Sequence, residues 1–152
     1  MTFEVDRRTV LLASAGAVVG LSGCLGGNGW DIDEDAPPEE QIEQFLDGVN
    51  GETELQDYTD GSDVVIENGT SDDVSGFAFN PAAIRIAPGT TVVWEWVDGS
   101  AHTVTHENGD AFDSGLQSGA GYTFEQTFDD DGLYLYLCEP HEQVQRGAVL
   151  VG

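Results

Sequence analysis

The sequence predicts an all-β domain over residues 61–152, an antiparallel β-sandwich of about eight strands behind a flexible acidic segment. Three observations predict it. From residue 61 onward, short apolar segments alternate with turn signals such as Asn80-Pro81, Pro88-Gly89 and Asp131-Gly132. Several segments place aromatic or β-branched residues at every second position. No strong helical periodicity interrupts them.

The candidate strands are short and are bounded by Gly, Asn, Asp or Pro. We predict them at 63–67, 76–79, 83–86, 91–97, 101–106, 122–128, 133–138 and 147–151. In the strand at 91–97, Val92, Trp94 and Trp96 share one face, which indicates a core between two sheets. Turns are predicted at Asn68-Gly69 and Asp98-Gly99.

The composition excludes several classes of protein. The 152 residues include 29 Asp and Glu against four basic residues, all arginine, for a net charge of −25. A nucleic-acid-binding protein needs a basic surface for phosphates, so this class is excluded. Charge also argues against adhesion to an anionic lipid surface. Disorder throughout is not expected, because 39% hydrophobic residues with three Trp and seven Phe suffice for a core.

Residues 1–23 are predicted to be a targeting segment. Arg7-Arg8 precedes an apolar run at 10–21, which is shorter than the about 20 residues that a membrane-spanning helix needs. The pattern resembles a twin-arginine export signal. It ends in Leu21-Ser22-Gly23-Cys24, which resembles a lipoprotein processing box with Cys24 as the lipidated residue. The prediction is an exported lipoprotein anchored to the extracellular face of the cell membrane. The alternative is a buried N-terminal helix with an incidental cysteine.

Residues 24–60 are predicted to form the acidic tether. Glycines at 26, 27 and 29 favour flexibility, and 31–40 is acidic with two prolines. A short helix is expected to begin at Pro38, because Ile42, Phe45, Leu46 and Val49 then share one face. That helix would either pack on the following domain or fray.

A candidate metal site lies near the end of the chain. Cys138 and His141, separated by Glu139-Pro140, follow a predicted strand directly into a loop. His102 lies 36 residues upstream, near the start of another predicted strand. One cysteine sulfur and two histidine nitrogens on a rigid β scaffold form the trigonal set that holds blue copper. An isolated C-x-x-H is weak evidence, but its place in the last loop of a β-sandwich strengthens it.

These motifs resemble the cupredoxins, and specifically the halocyanins, small blue copper proteins of haloarchaea. The matching stretches are FAFNPAA at 77–83, APGTTVVWEW at 87–96, AFDSG at 111–115, CEPHE at 138–142 and a closing GAV at 147–149. The resemblance covers roughly 60–152. It implies a Greek-key cupredoxin fold and one copper ion with His102, Cys138 and His141 as equatorial ligands. It also implies that the exposed edge of His141 passes electrons to partners.

The sequence departs from that family at the fourth ligand. Most cupredoxins place a weakly bound axial methionine a few residues after the loop histidine, but 142–147 contains none. Alignment on Arg146-Gly147 puts Gln145 at that position, as in the stellacyanin-like cupredoxins. An amide oxygen should favour Cu(II) and lower the potential. The alternatives are a three-coordinate copper with Gln145 turned to solvent, or Gln143, which only one residue separates from the loop histidine.

Other residues near the candidate site have simpler interpretations. In a continuous strand the Cα of His106 would lie about 13 Å from that of His102, so we interpret it as a surface or second-shell residue. Tyr134 and Tyr136 should face the core beside the cysteine. The intervening leucines at 135 and 137 then face outward, under the tether helix or as a contact patch.

Two functions follow from different classes of protein. The first is a monomeric one-electron carrier with redox-protein donors and acceptors. The second is a non-redox module that holds zinc or copper for structure or delivery. An enzyme is the poorest fit, because multicopper oxidases need many more than three histidines. Beside the halocyanin-like motifs, the net charge of −25 indicates a salt-adapted surface.

Overall fold

The structure is a computed structural model that describes residues 30–61, 63–71 and 74–152. The predicted targeting segment 1–23 and Cys24 lie outside the described residues. The part of the chain from Glu34 to Gly152 forms one compact unit.

This unit contains one α-helix, eleven short strands and a single 3₁₀ turn within the described residues. The elements are α1 (Pro38–Phe45), β1 (Gln56–Tyr58), β2 (Val64–Ser71), β3 (Val74–Asn80), β4 (Ala83–Ile86), β5 (Thr90–Trp96), β6 (Ala101–His102), β7 (Thr105–His106), β8 (Gln117–Ser118), β9 (Thr123–Phe128), β10 (Gly132–Leu137), the 3₁₀ turn (Glu139–His141) and β11 (Arg146–Val151).

The strands form the predicted β-sandwich. One sheet has the order β1-β4-β11-β10-β7, the other has the order β3-β2-β5-β9, and β6 pairs with β8 in a small ribbon. Most strand pairs are antiparallel, as predicted, whereas β1–β4, β4–β11 and β2–β5 are parallel. Between the two strands of each parallel pair, the chain passes through the other sheet. Such a crossover connection permits parallel pairing.

Several strand boundaries differ from the predictions. The strand expected at 63–67 continues as β2 through Asn68-Gly69 to Ser71, so these two residues do not form the predicted turn. The strand expected at 101–106 is interrupted after His102 and resumes at Thr105. The two-residue β8 and the three-residue β1 were not predicted, since both depend on partners distant in sequence.

The core between the sheets is aromatic. Trp94 is fully buried, and its ring lies 5.3 Å from that of Tyr136 and 5.9 Å from those of Phe112 and Phe124. The offset and edge-on arrangements of these rings are the favourable ones for aromatic pairs. As predicted, the side chains of Tyr134 and Tyr136 face this core, next to Cys138.

The predicted helix forms, and it packs on β10 and β11. Glu39 and Glu40 lie in its first turn, where acidic side chains are favoured, and Ile42 and Phe45 are buried. Because α1 covers the outer face of this sheet, all six residues of β11 are buried. The compact unit, which begins at Glu34, therefore includes this helix.

The helix also accounts for two leucines whose environment the sequence left open. Leu135 and Leu137 alternate with the core-facing tyrosines on β10, yet both are buried. They lie on the sheet face that α1 covers, and so do not form an exposed contact patch. Among the described residues, no helix is long and apolar enough to cross a membrane.

Candidate metal centre

The structure brings together the three side chains predicted as copper ligands. The ligand atoms of His102, Cys138 and His141 all lie within 4.8 Å of one another. Nδ1 of His102 lies 3.7 Å from Sγ of Cys138, and Nδ1 of His141 lies 3.4 Å from it. Two imidazole nitrogens and one sulfur therefore converge on one point, as a trigonal metal site requires.

The loop that carries two of these side chains is closed by its own backbone. Cys138 has an extended backbone at the end of β10, and Pro140 lies in the 3₁₀ turn that follows. The His141 amide donates to the Cys138 carbonyl at 3.0 Å, and the Gln145 amide donates to the His141 carbonyl at 2.9 Å. The Cys138 amide in turn donates to the Gln145 carbonyl at 3.1 Å. The loop is thus a compact turn with a fixed cysteine-to-histidine distance.

His102 is fully buried, and its ring orientation is set by Asp98. Its Nε2 lies 2.8 Å from Oδ1 of Asp98, and its Nδ1 faces the cysteine sulfur. A carboxylate can only accept here, so the proton resides on Nε2 and the Nδ1 lone pair is free to bind a metal ion. Carboxylate–histidine pairs of this kind fix the tautomer and the ring of a metal ligand.

Asp98 is itself held by two backbone amides. Thr70 N donates to its Oδ2 at 2.6 Å, and Ser100 N donates to its Oδ1 at 3.0 Å. Burial alone would raise the pKa of Asp98, but hydrogen bonds from Thr70, His102 and Ser100 outweigh burial and lower the pKa. Gly69 is required beside it, since a Cβ there would meet the carboxylate at 2.7 Å and its φ is +127°.

Cys138 is fully buried between the two histidines. Burial, more than any other cause, raises the pKa of its thiol to about 11, against smaller opposing effects of nearby backbone hydrogen bonds. The thiol is therefore protonated at neutral pH, and a metal ion that binds here must displace the proton. The next residue is also fixed, because Glu139 N donates to Oγ1 of Thr103 at 2.9 Å.

His141 is half-buried and is packed against Phe77. The two rings are stacked, with centroids 4.0 Å apart and planes 23° apart. Burial lowers the pKa of His141, and the neighbouring His102 lowers it further, while the Gln145 side chain acts in the opposite direction. The ring is therefore neutral at pH 7, which is the state that binds a metal ion.

Gln145 is fully buried and is not turned to solvent. Its Nε2 donates to Oδ1 of Asn68 at 2.7 Å and to the Ala78 carbonyl at 3.1 Å. Because a carbonyl accepts only, the Ala78 contact fixes which end of the amide is nitrogen. The Gln145 Oε1 atom is buried without a hydrogen-bond partner. Gln143, the weaker candidate for an axial ligand, is exposed.

His106 lies outside this group of side chains. Its ring stacks on Phe112, with centroids 4.8 Å apart and planes 3° apart. Nδ1 accepts from Ala111 N at 2.8 Å, and Nε2 lies 2.9 Å from Oδ1 of Asn108. These contacts give His106 a role in holding its own loop, in accord with its interpretation as a surface or second-shell residue.

The sequence did not single out three residues that shape the site, Asp98, Asn68 and Phe77. Asp98 was interpreted as a turn residue, although its i, i+4 spacing from His102 is visible in the sequence. Asn68 carries no such signal, since it meets Gln145 only through the pairing of distant strands. The triplet Asn68-Gly69-Thr70 also fits a glycosylation signal, yet the asparagine side chain is fully buried.

Comparison with known proteins identifies the family of this chain. The family model of copper-binding proteins of the plastocyanin/azurin family matches residues 65–152. Halocyanin from Natronomonas pharaonis is 41% identical over 97% of this chain and 98% of its own length. A chloroplastic plastocyanin from Tetradesmus obliquus is 31% identical over 53% of this chain and 59% of its own.

A solved structure supports the fold alone. An oxidised amicyanin mutant superimposes with a TM-score of 0.50 at 22% identity, over 59% of this chain and 82% of its own.

The family model and the halocyanin match show that the chain belongs to the plastocyanin/azurin family of copper-binding proteins. Within that family it is a halocyanin-like cupredoxin, and its predicted cofactor, one copper ion, is confirmed.

Proposed function

We propose that this protein carries single electrons at a type 1 copper site held by His102, Cys138 and His141. The observation that carries the proposal is the convergence of one thiol and two Nδ1 atoms within 4.8 Å. A copper ion bound there supplies the redox chemistry, because it alternates between Cu(I) and Cu(II). Membership of the copper-binding family supports the same class, a blue copper electron-transfer protein.

The residues around the site serve this function by keeping its geometry constant. His102 and Cys138 have no exposed surface, and the closed loop after β10 fixes the position of His141. Ligands that are held in place before the metal ion arrives need not move when the ion changes its charge. Of the three side chains that would hold the copper ion, only His141 is partly exposed, so electrons would enter and leave through its ring.

We further propose Gln145 as the axial ligand. Its buried amide oxygen has no hydrogen-bond partner, while its nitrogen is fixed by Asn68 and Ala78. A buried polar atom without a partner is costly, and a metal ion at this site would satisfy it. The harder oxygen donor stabilises Cu(II) and therefore lowers the potential.

Substitution of Gln145 tests the axial role. Gln145→Met should raise the midpoint potential of the copper-loaded protein, because a thioether stabilises Cu(I). Gln143→Met is the matched control, since that residue lies in the same loop but is exposed. An unchanged or lower potential in Gln145→Met would rule out Gln145 as the axial ligand.

Absorption spectra and voltammetry test the function itself. The copper-loaded wild type should show an intense blue absorption and a reversible one-electron couple, and Cys138→Ala should lose both. His106→Ala is the control, because this histidine lies outside the ligand group and should keep both. A colourless zinc protein with no redox couple would instead support the non-redox metal-binding module.

The cellular setting that we propose is the extracellular face of the cell membrane. The Arg7-Arg8 motif supports export, and the box that ends in Cys24 supports a lipid anchor. Donors and acceptors would then be other redox proteins at that surface. Cys24→Ser should move the protein from the membrane fraction to the medium, whereas Ser22→Ala should not. Equal release of both variants would contradict anchoring at Cys24.

A further inference from the structure

A short segment before the family match contacts the loop that carries His141 and Gln145. Residues 45–50 lead from the end of α1 into the loop that follows, whereas the family model begins at residue 65. The segment is anchored at its start, because Ile42, Phe45 and Leu46 are at most 3% exposed. Burial of each such side chain contributes about 1.5–3 kcal/mol, so the segment is firmly attached to the sheet.

Arg146 joins this segment to the ligand loop. Its Nε donates to the Phe45 carbonyl at 2.7 Å, and one terminal nitrogen donates to the Asp47 carbonyl at 2.7 Å. The other terminal nitrogen donates to the carbonyls of Glu142 at 2.7 Å and Gln143 at 3.0 Å. One planar, rigid guanidinium thus spans the 45–50 segment and the loop that carries His141 and Gln145.

Arg146 is buried, and its charge is compensated by hydrogen bonds to backbone carbonyls. The residue is 3% exposed, and its guanidinium carbon lies 5.5 Å from the centre of the Phe45 ring. Four backbone carbonyls accept from it. A buried charge is retained at this level of burial only with many hydrogen bonds, so loss of these contacts would be costly.

Asn50 makes a second connection at the other end of the segment. Its backbone amide donates to the Val144 carbonyl at 2.9 Å, next to Gln145. Its side-chain Nδ2 donates to the Phe77 carbonyl at 3.0 Å, and Phe77 is the residue stacked on His141. Gly76 permits this approach, because a Cβ there would lie 2.6 Å from the Asn50 nitrogen.

We propose that the 45–50 segment, through Arg146 and Asn50, positions the ligand loop and Phe77 around His141. The segment would then affect the midpoint potential and the absorption spectrum of the copper site as well as the stability of the fold. Arg146 and Asn50 are positioning residues, since they act through the loop and through Phe77 and do not reach the ligand atoms. This inference rests on the proposed copper function only for its effect on potential; its effect on the loop can be measured without metal.

Hydrogen exchange of the copper-free protein tests the effect on the loop. The amides of Val144 and Gln145 both donate to the His141 carbonyl, so their exchange reports on loop order. Arg146→Gln should speed their exchange by about tenfold or more. Arg85→Gln is the matched control, because Arg85 donates to the carbonyl of Gly152 at the chain end and lies 40% exposed in its side chain.

Voltammetry of a milder variant tests the effect on the copper site. Asn50→Asp keeps the size of the side chain but removes the donor to the Phe77 carbonyl, so the midpoint potential and the blue absorption spectrum should shift. Asn108→Asp adds the same charge and also removes a donor to a backbone carbonyl, that of Leu133, so it is the control. Asn50→Asp also tests the proposal if Arg146→Gln does not fold.

The outcomes separate the two proposals. Faster exchange in Arg146→Gln and a shifted spectrum in Asn50→Asp, without comparable changes in the controls, would support the positioning role. A lower unfolding midpoint with unchanged loop exchange, potential and spectrum would overturn it and leave the segment a purely stabilising role. Failure of the wild type to bind copper as a blue centre would instead overturn the proposed function, while the exchange experiment would still test the loop.

Discussion

The two histidines of the proposed copper site are held in opposite ways. His102 has no exposed surface, and a carboxylate fixes its ring through a 2.8 Å contact with Asp98. His141 is half-buried, lies on a 3₁₀ turn and is held by stacking on Phe77 at 4.0 Å. One ligand is therefore fixed by a charged hydrogen bond in the interior and the other by packing at the surface.

This difference assigns separate tasks to two chemically identical side chains. A buried imidazole with a fixed tautomer maintains the geometry of the site, because its environment does not change with solvent or partner. A half-buried imidazole, in contrast, is accessible to solvent and to a partner. If this division holds, changes at or near the two histidines should have different consequences.

Removal of each histidine should give different results when imidazole is supplied from solution. Both His102→Gly and His141→Gly should lose the blue absorption of the copper-loaded protein, because each removes one of three strong ligands. Added imidazole should restore the colour only in His141→Gly, since the space left there opens to solvent. Absorption spectra during an imidazole titration provide the measurement. Equal rescue of both variants would contradict the assignment of interior and surface roles.

Loss of the carboxylate that fixes His102 should have the next largest effect. We expect Asp98→Asn to lower copper affinity about 10–100-fold, the usual cost of removing such a partner. The midpoint potential should rise, because a nearby negative charge that stabilises Cu(II) is lost. Asp57→Asn is the matched control, since Asp57 also accepts hydrogen bonds, from Thr59, but lies exposed on β1. Equal losses of affinity in the two variants would refute a specific role of Asp98.

Removal of salt should lower the stability of the fold without changing the copper site. The net charge of −25 is screened within about 3 Å at 1 M salt but within about 10 Å at 0.1 M, so repulsion grows as salt is removed. On transfer from 1 M to 0.1 M salt, we expect the unfolding midpoint to fall by roughly 5 °C, which corresponds to about 1 kcal/mol. The visible spectrum of the folded protein should stay the same. A midpoint that does not depend on salt would refute the prediction of a salt-adapted surface.

His106 should contribute the smallest effect, a loss of stability at acid pH. Burial, the largest cause, lowers its pKa, and its neutral ring accepts from Ala111 N. A histidine with a lowered pKa stabilises the fold above its unfolded pKa of about 6.5 and loses this contribution as pH falls through the lowered value. The unfolding midpoint should therefore drop less between pH 7 and pH 5 in His106→Gln than in the wild type. An identical drop in both would exclude this contribution.

Much of this molecule could be predicted from local signals in the sequence. The apolar spacing of Ile42 and Phe45 predicted the helix, and the alternation of Tyr134, Tyr136 and Cys138 predicted which residues face the core. The ligand group followed from residue chemistry, because a chain with three histidines offers few ways to build a site with Cys138. These signals are local or compositional, and they do not require knowledge of strand partners.

What could not be predicted depends on contacts between distant strands. Asn68-Gly69 is a common turn dipeptide, but here it continues β2, because its residues pair with β3 and Asn68 also pairs with β5. The parallel pairing of β1 with β4 joins residues that no local pattern connects. The buried amide pair of Asn68 and Gln145 has the same origin, since its members lie 77 positions apart in the sequence.

The burial of Cys138 has a consequence for the protein before it acquires its metal. Only the thiolate reacts with oxidants and disulfides, and a fully buried thiol with its pKa raised to about 11 is almost entirely in the unreactive form. The thiol of the metal-free chain is thereby protected against oxidation and against disulfide formation with other thiols. The same environment couples metal uptake to the release of a proton, so acquisition of the ion is favoured in neutral or alkaline surroundings.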